Sequence, residues 1–98
     1  MNFAQFETED RRLVILRGLA SATGYRINEY LLKRYLDTLA HEVSQDRLAA
    51  DLAWLAEQSL ITVQKPEGVT VAILTTRGLD VAEGRAHVPG IARPQPGA

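Results

Sequence analysis

The stretch from Ser44 to Ile61, SQDRLAADLAWLAEQSLI, constrains the fold of this chain more than any other segment. Leu48, Leu52 and Leu55 recur at three- and four-residue spacing, which places them on one face of an α-helix. Ser44 stands where an N-cap residue is favoured, because its hydroxyl can accept a hydrogen bond from a free amide of the first turn. The segment therefore predicts a helix whose narrow apolar stripe packs on a core.

A β-hairpin is predicted directly after this helix. Two runs rich in β-branched residues, Ile61–Lys65 and Val69–Leu74, flank the turn sequence Pro66-Glu67-Gly68. Alternating β-branched residues on both sides of a Pro/Gly turn are typical of two antiparallel strands. A helix followed at once by such a hairpin is the order in which a recognition helix precedes its wing.

The rest of the chain completes this arrangement. Cap residues and hydrophobic staples predict three further helices: one over Phe3–Ser21, one from Asn28 to near His41, and a closing helix from Thr75 to about Arg85. Tyr25–Ile27 is a short extended segment in the place of the edge strand that pairs with the wing in winged helices. The order favours an α+β, mostly α fold: a winged helix-turn-helix with a three-helix core, a β-hairpin wing and a closing C-terminal helix. A generic α+β core is the alternative.

The expected core contains seven apolar side chains: Leu16, Leu32, Leu36, Leu48, Leu52, Leu55 and Ile73. A length of 98 residues suits one domain, which we place at residues 1–86. Residues 87–98, HVPGIARPQPGA, are rich in Pro and Gly and predict a flexible tail, largely extended or disordered.

The sequence offers no catalytic chemistry. It has no cysteine, so thiol nucleophiles and thiolate metal sites are excluded. His41 and His87 are not spaced with carboxylates as metal ligands and are interpreted as surface residues. Phosphate-binding loops and Ser/His/Asp sets are also missing. We expect a protein that is not an enzyme and uses neither cofactor nor metal; without a signal peptide or membrane span, it is expected in the cytoplasm.

A net charge of −1 gives no general attraction to nucleic acid, so double-stranded DNA would have to bind a local basic face. Candidates for that face are the first turn of the third helix, the turn before the second helix, the second helix and the wing: Ser44, Gln45, Arg47, Arg26, Lys33, Arg34 and Lys65. In the alternative interpretation Ser44 only caps the helix, Gln45 is solvated and Arg47 pairs with Asp51 four residues on.

Acidic residues weaken the DNA interpretation. Asp46, Asp51 and Glu57 make the third helix net acidic, and exposed carboxylates would repel phosphates. An apolar first helix on so small a chain instead favours a homodimer. Phe3, Phe6 and Trp54 are the candidate dimer-interface residues, the alternative being that they pack on the protein's own core, first helix or tail.

Residues 44 to 85 resemble winged helix regulators related to the arsenic-type and multiple-antibiotic-type repressors. The resemblance lies in DLAWLAEQSLITV, from Asp51, and AILTTRGLDVAEGR, from Ala72. In those families the second wing strand often ends in Leu-Thr-x-x-Gly, which Leu74 to Gly78 match. Ser59 replaces the glycine that usually ends their recognition helix. The resemblance implies the winged helix fold and is weakly specific for function.

A second resemblance covers nearly the whole chain. EDRRLVILRGLA from Glu9, DLAWLAEQSLI from Asp51, TRGLDVAEGR from Thr76 and VPGIARPQPG from Val88 look like a family of small proteins in Mu-like phages and prophages. It implies a phage or prophage origin. The winged helix fold and the polar first turn of the third helix lead us to expect a small phage or prophage DNA-binding transcriptional regulator. The acidic third helix and the near-zero net charge favour the alternative, a non-catalytic module that binds a phage protein during assembly or DNA packaging.

Overall fold

The computed structural model describes residues 2 to 96. Within that range the chain forms four α-helices and three β-strands, in the order α1 (Phe3–Ser21), β1 (Arg26–Asn28), α2 (Glu29–Thr38), α3 (Gln45–Glu57), β2 (Ile61–Gln64), β3 (Val71–Leu74) and α4 (Thr76–Ala82). The α+β class and the predicted order of elements are confirmed. The strands of the hairpin are shorter than predicted.

Each helix begins at a residue whose side chain caps it. Asn2 and Gln5 form a reciprocal capping box at the start of α1, and Asn28, Ser44 and Thr75 accept amide hydrogen bonds at the starts of α2, α3 and α4. These bonds satisfy amides that have no partner within the helix. Local sequence thus determines where all four helices begin.

The three strands form one antiparallel sheet in the order β1-β3-β2. Ala72 at its centre lies opposite Ile27 of β1 and Val63 of β2. Thr70 also binds Glu29, the first residue of α2, through reciprocal backbone and side-chain hydrogen bonds. The short strand before α2 therefore pairs with the hairpin, as the sequence predicts, and joins it to the helices.

The core contains the six leucines predicted for it: Leu16, Leu32, Leu36, Leu48, Leu52 and Leu55. The prediction for Ile73 is wrong, because this side chain is only partly buried and its neighbour Ala72 is the buried residue. Successive side chains of a strand point to opposite faces. Ala72 and Leu74 share the face that packs on the core, and Ile73 lies on the other.

Two helices end earlier than predicted, through Schellman turns. After α2, Ala40 has a φ of 64° and the His41 amide donates to the Leu36 carbonyl. After α4, Gly84 has a φ of 82° and ends the helix before Arg85. A residue in the left-handed region reverses the chain and satisfies the last carbonyls.

The same turn ends α3. Ser59 has a φ of 62°, and the Leu60 amide donates to the Leu55 carbonyl. Glycine adopts this conformation without strain, whereas other residues are rarely found there. This conformation explains why the resembling regulators have glycine at the position that Ser59 occupies here.

Part of the predicted tail packs on the domain, which corrects its description as flexible. Val88 and Ile91 are buried, with 5% and 2% of their surface exposed. The Ala92 amide donates to the Glu9 carbonyl at 3.2 Å. The two apolar side chains cover core surface that α1 leaves open, so the packed domain extends past residue 86. Residues 97 and 98 of the predicted tail lie outside the described residues.

Candidate interaction face

In a winged helix, α3 would be the recognition helix. A cleft of about 430 Å³ lies between α3, the start of α2 and the hairpin. We call it the α3–hairpin cleft. Its lining is mostly apolar, with polar groups at its rim: Glu29, Gln45, Asp46, Leu48, Ala49, Leu52, Ala53, Ala56, Val63, Lys65 and Thr70. Val63 is 37% exposed, so an apolar side chain of the hairpin faces solvent beside the helix.

Glu29 organises the rim of this cleft. One carboxylate oxygen accepts from the Thr70 amide at 3.0 Å, and the other accepts from the Gln45 side-chain amide at 3.3 Å. A single side chain thus joins the first turn of α2 to the hairpin and to the first turn of α3. Gln45 is consequently held by a neighbouring carboxylate, and Ser44 is occupied by the Arg47 amide at 3.1 Å.

The outward surface of α3 is unlike that of a helix that reads DNA bases. Three of its exposed side chains are alanines, namely Ala49, Ala50 and Ala53, and two are carboxylates, Asp46 and Glu57. Alanine has no hydrogen-bonding group for a base edge, and the carboxylates disfavour phosphate. Arg47 is exposed at the flank of this surface.

Asp51 does not belong to the exposed acidic set, which corrects the prediction from sequence. Only 3% of its side chain is exposed, and it forms a buried ion pair with Arg11 of α1. Arg12 lies near the second carboxylate oxygen, 3.9 Å from it. The expected pair between Asp51 and Arg47 is therefore replaced by a connection between α1 and α3, and the charge of Asp51 is neutralised within the protein.

Trp54 is partly covered rather than free at the surface. The Arg12 guanidinium stacks on its ring at 3.9 Å from the centroid, and Arg12 also donates to the Gly90 carbonyl at 3.0 Å. Burial lowers the pKa of Arg12, and the Asp51 carboxylate opposes that shift. Trp54 thus connects α3 to α1 and to the tail. The sequence left this packing open as the alternative to a place for Trp54 in a dimer interface.

The four remaining candidate cations do not share one cleft. Lys65 lines the α3–hairpin cleft, whereas Lys33 lies in another depression with Asp37 and Glu42. Arg26 and Arg34 are exposed on β1 and α2 and line neither. The seven residues predicted to contact DNA are therefore spread over several surfaces, and only Gln45 and Lys65 of the seven line the cleft.

His41 was missed as a structural residue. It is 8% exposed and lies 2.7 Å from the Asp10 carboxylate, so it is not the surface histidine that the sequence suggested. The pair joins the loop after α2 to α1. Among the described residues no group of three or more His, Cys, Asp or Glu side chains is placed to hold a metal ion.

Comparison with known proteins places the chain in a phage family. It is 52% identical over 91 residues to a protein of Escherichia phage Mu with the name uncharacterized protein gp26, an alignment that covers 93% of this chain and 94% of that protein. The chain belongs to the gp26 family of Mu-like phages. No family profile matches the chain, and no solved structure matches it.

A second member of the gp26 family comes from Haemophilus influenzae. It is 41% identical over 80 residues, which are 81% of this chain and 78% of the relative. The near-complete coverage of the phage Mu protein means that the buried pairs and the cleft lie within the length shared with gp26. In the part of the chain that the structure describes, no helix is long and apolar enough to cross a membrane.

Proposed function

We propose that this gp26-family protein is a non-catalytic winged helix module that binds another phage protein, during assembly or DNA packaging, through its α3–hairpin cleft. One observation carries the proposal: the outward surface of α3 carries Ala49, Ala50 and Ala53 between Asp46 and Glu57, and Ala49 and Ala53 line the cleft. We expect it to act in the cytoplasm of the infected cell.

The winged helix assignment is supported by topology. A strand precedes the second helix and pairs with the second strand of the hairpin, so that the sheet has the order β1-β3-β2. The helix before the hairpin, α3, is capped by Ser44 and exposes its polar first turn. This order and pairing agree with a helix-turn-helix that carries a wing.

A protein partner suits this face better than a DNA groove does. Small side chains let the backbone of a partner approach α3 closely, and the apolar lining and Val63 would be removed from water on binding. At the tip of the hairpin Glu67 is exposed, so the wing would bring a negative charge towards phosphates. Lysine and arginine, by contrast, are the residues that anchor proteins to a DNA backbone.

A site-specific photo-crosslinking experiment tests the proposal. A photoreactive amino acid would replace Ala53, which lines the cleft, in cells that produce the phage encoding this chain. We expect a discrete protein adduct that disappears when Ala49→Arg is added to the same chain. The matched control places the same group at Ala86, an exposed alanine after α4, and should give no such adduct. Adducts with nucleic acid alone, or the same adducts from both positions, would refute protein binding by this cleft.

DNA binding is the second candidate function, because the burial of Asp51 removes one of the three charges that opposed it. Four cations, Arg26, Arg34, Arg47 and Lys65, are exposed and could contact phosphates. If all four do, affinity should fall by roughly 150-fold between 50 and 200 mM salt, from about 0.9 counterions released per contact. Replacing Asp46 and Glu57 by Asn and Gln should then strengthen binding.

A further inference from the structure

A stripe on the outward side of α1 carries two large aromatic side chains at one end. Phe3 is 74% exposed and Phe6 is 57% exposed. Helical spacing places Asp10, Val14 and Arg17 on the same side of the helix as the two phenylalanines. These five residues, which we call the α1 stripe, run along the helix from its first turn towards its last.

A groove of about 840 Å³, which we call the α1–α2 groove, lies along the second half of α1, and Asp10, Val14 and Arg17 of the stripe line it. Val14, Arg17 and Ala20 of α1 form one wall, and Tyr35 and Leu39 of α2 form part of the other. Leu39 is 47% exposed, so the groove has an apolar wall open to solvent. The chain thus presents aromatic side chains at the start of α1 and, beside the second half of the same helix, a groove that Asp10, Arg17, Ser21 and Glu83 line together with apolar side chains.

The α1 stripe of one copy is complementary to the same stripe of a second copy that runs in the opposite direction. If two copies of α1 lie antiparallel with a two-fold axis level with Leu13 and Val14, Asp10 lies opposite Arg17 of the second copy. Phe6 then lies opposite Ser21 of the second copy, beside the groove. The symmetry repeats both contacts, because a two-fold interface uses the same patch on each subunit. The distances match, since each pair is equally far from the axis along helices with the same rise.

Asp10 can take part without leaving its present partner. Its carboxylate lies 2.7 Å from His41, yet 58% of the side chain is exposed. A carboxylate has two oxygens and can accept several hydrogen bonds. A guanidinium of the second copy can therefore bind the exposed side of Asp10 while His41 keeps the other.

We propose that two copies of this chain form an antiparallel dimer through the α1 stripe, in which Phe6, with Phe3 beside it, occupies the α1–α2 groove of the other copy. A second copy is the partner that fits the groove, because the same surface carries the aromatic side chains, the groove that receives them, and two opposite charges, Asp10 and Arg17. The interface lies on α1 and α2, and it is independent of the α3–hairpin cleft and of what binds there.

Charge reversal tests both the dimer and its direction. Asp10→Arg and Arg17→Asp, each alone, place like charges opposite each other twice, and we expect the dimer dissociation constant in sedimentation equilibrium to rise at least tenfold. An equimolar mixture of the two variants restores both opposite-charge contacts, so a heterodimer should form with an affinity within a few-fold of the parent's. A mixture that stays as monomeric as its components, with both variants folded by circular dichroism, overturns the antiparallel arrangement.

The aromatic anchors give a second test that leaves the charges unchanged. Phe3→Ala with Phe6→Ala should raise the dissociation constant at least tenfold. Tyr30→Ala is the matched control, because Tyr30 is 56% exposed on α2 but does not line the groove, and it should leave the constant unchanged. A parent protein that is monomeric at several hundred micromolar, or an equal response to both substitutions, overturns the proposal.

Discussion

Loss of the Asp51 carboxylate should strongly destabilise the fold. Asp51→Ala removes the carboxylate that pairs with Arg11 and lies near Arg12. Only 3% of the Asp51 side chain and 7% of the Arg11 side chain are exposed. Water cannot replace the carboxylate unless the contact between α1 and α3 opens. Removing one partner of a buried ion pair costs about 3–5 kcal/mol, a large share of the roughly 5–15 kcal/mol that stabilises a typical domain.

Urea denaturation followed by circular dichroism measures this loss. With a slope of about 2 kcal/mol per molar urea, the midpoint should fall by roughly 2 M. Glu57→Ala, which removes an exposed carboxylate of the same helix, should change stability by no more than about 0.5 kcal/mol. Because the two partners are coupled, the double substitution Arg11→Met with Asp51→Leu should lower the free energy of unfolding by less than the sum of the losses from Arg11→Met alone and Asp51→Leu alone. An unchanged midpoint for Asp51→Ala would refute the buried pair.

Three further predictions concern stability and use the same denaturation assay. Ser59→Gly relieves a φ of 62° and should stabilise the protein by up to about 1 kcal/mol; a loss would contradict the assigned turn. Gly78→Ala would place a Cβ 2.0 Å from the Leu60 carbonyl oxygen and should cost about 3 kcal/mol or more, so a neutral result would show that α4 packs less closely. Truncation after Ala86 removes the two buried apolar side chains of the tail and should cost roughly 3–6 kcal/mol; an unchanged midpoint would restore the flexible-tail interpretation.

Local signals predicted the order of elements and the start of every helix, because caps act within one turn. Helix ends were less predictable. Gly84 marks the end of α4 by its residue type, but Ala40 and Ser59 adopt the same left-handed conformation without being glycines. The resemblance to regulators with glycine at the position of Ser59 was the available signal for one of these two ends.

Residue contacts between distant segments were the least predictable. Asp51 pairs with Arg11, forty residues away, whereas the sequence suggested a partner one helical turn along. His41 pairs with Asp10 across a similar separation. Both carboxylates, Arg11 and His41 look like ordinary surface residues in the sequence. Only tertiary packing shows that the pairs are buried or partly buried, and it also places Trp54 under Arg12.

The composition of the candidate face was visible in the sequence, but its geometry was not. Asp46, Ala50, Ala53 and Glu57 of α3 can be assigned to its outward side from helical periodicity. The α3–hairpin cleft depends on where the hairpin lies, and Glu29, whose side chain positions Gln45 and Thr70 at its rim, carried no signal of that role. The tail was misjudged because its Pro and Gly content outweighed two apolar residues that fill the core.

A titration of the parent protein with a duplex DNA of mixed sequence, at about 50 mM salt and followed by backbone amide chemical shifts, tests the central claim most directly. If the α3–hairpin cleft is a protein-binding site, the amides of Gln45 to Arg47 and of Lys65 should stay unshifted at a several-fold excess of DNA. Saturable shifts at these amides, lost as salt is raised to about 200 mM, would contradict the claim and establish the face as a DNA-binding surface.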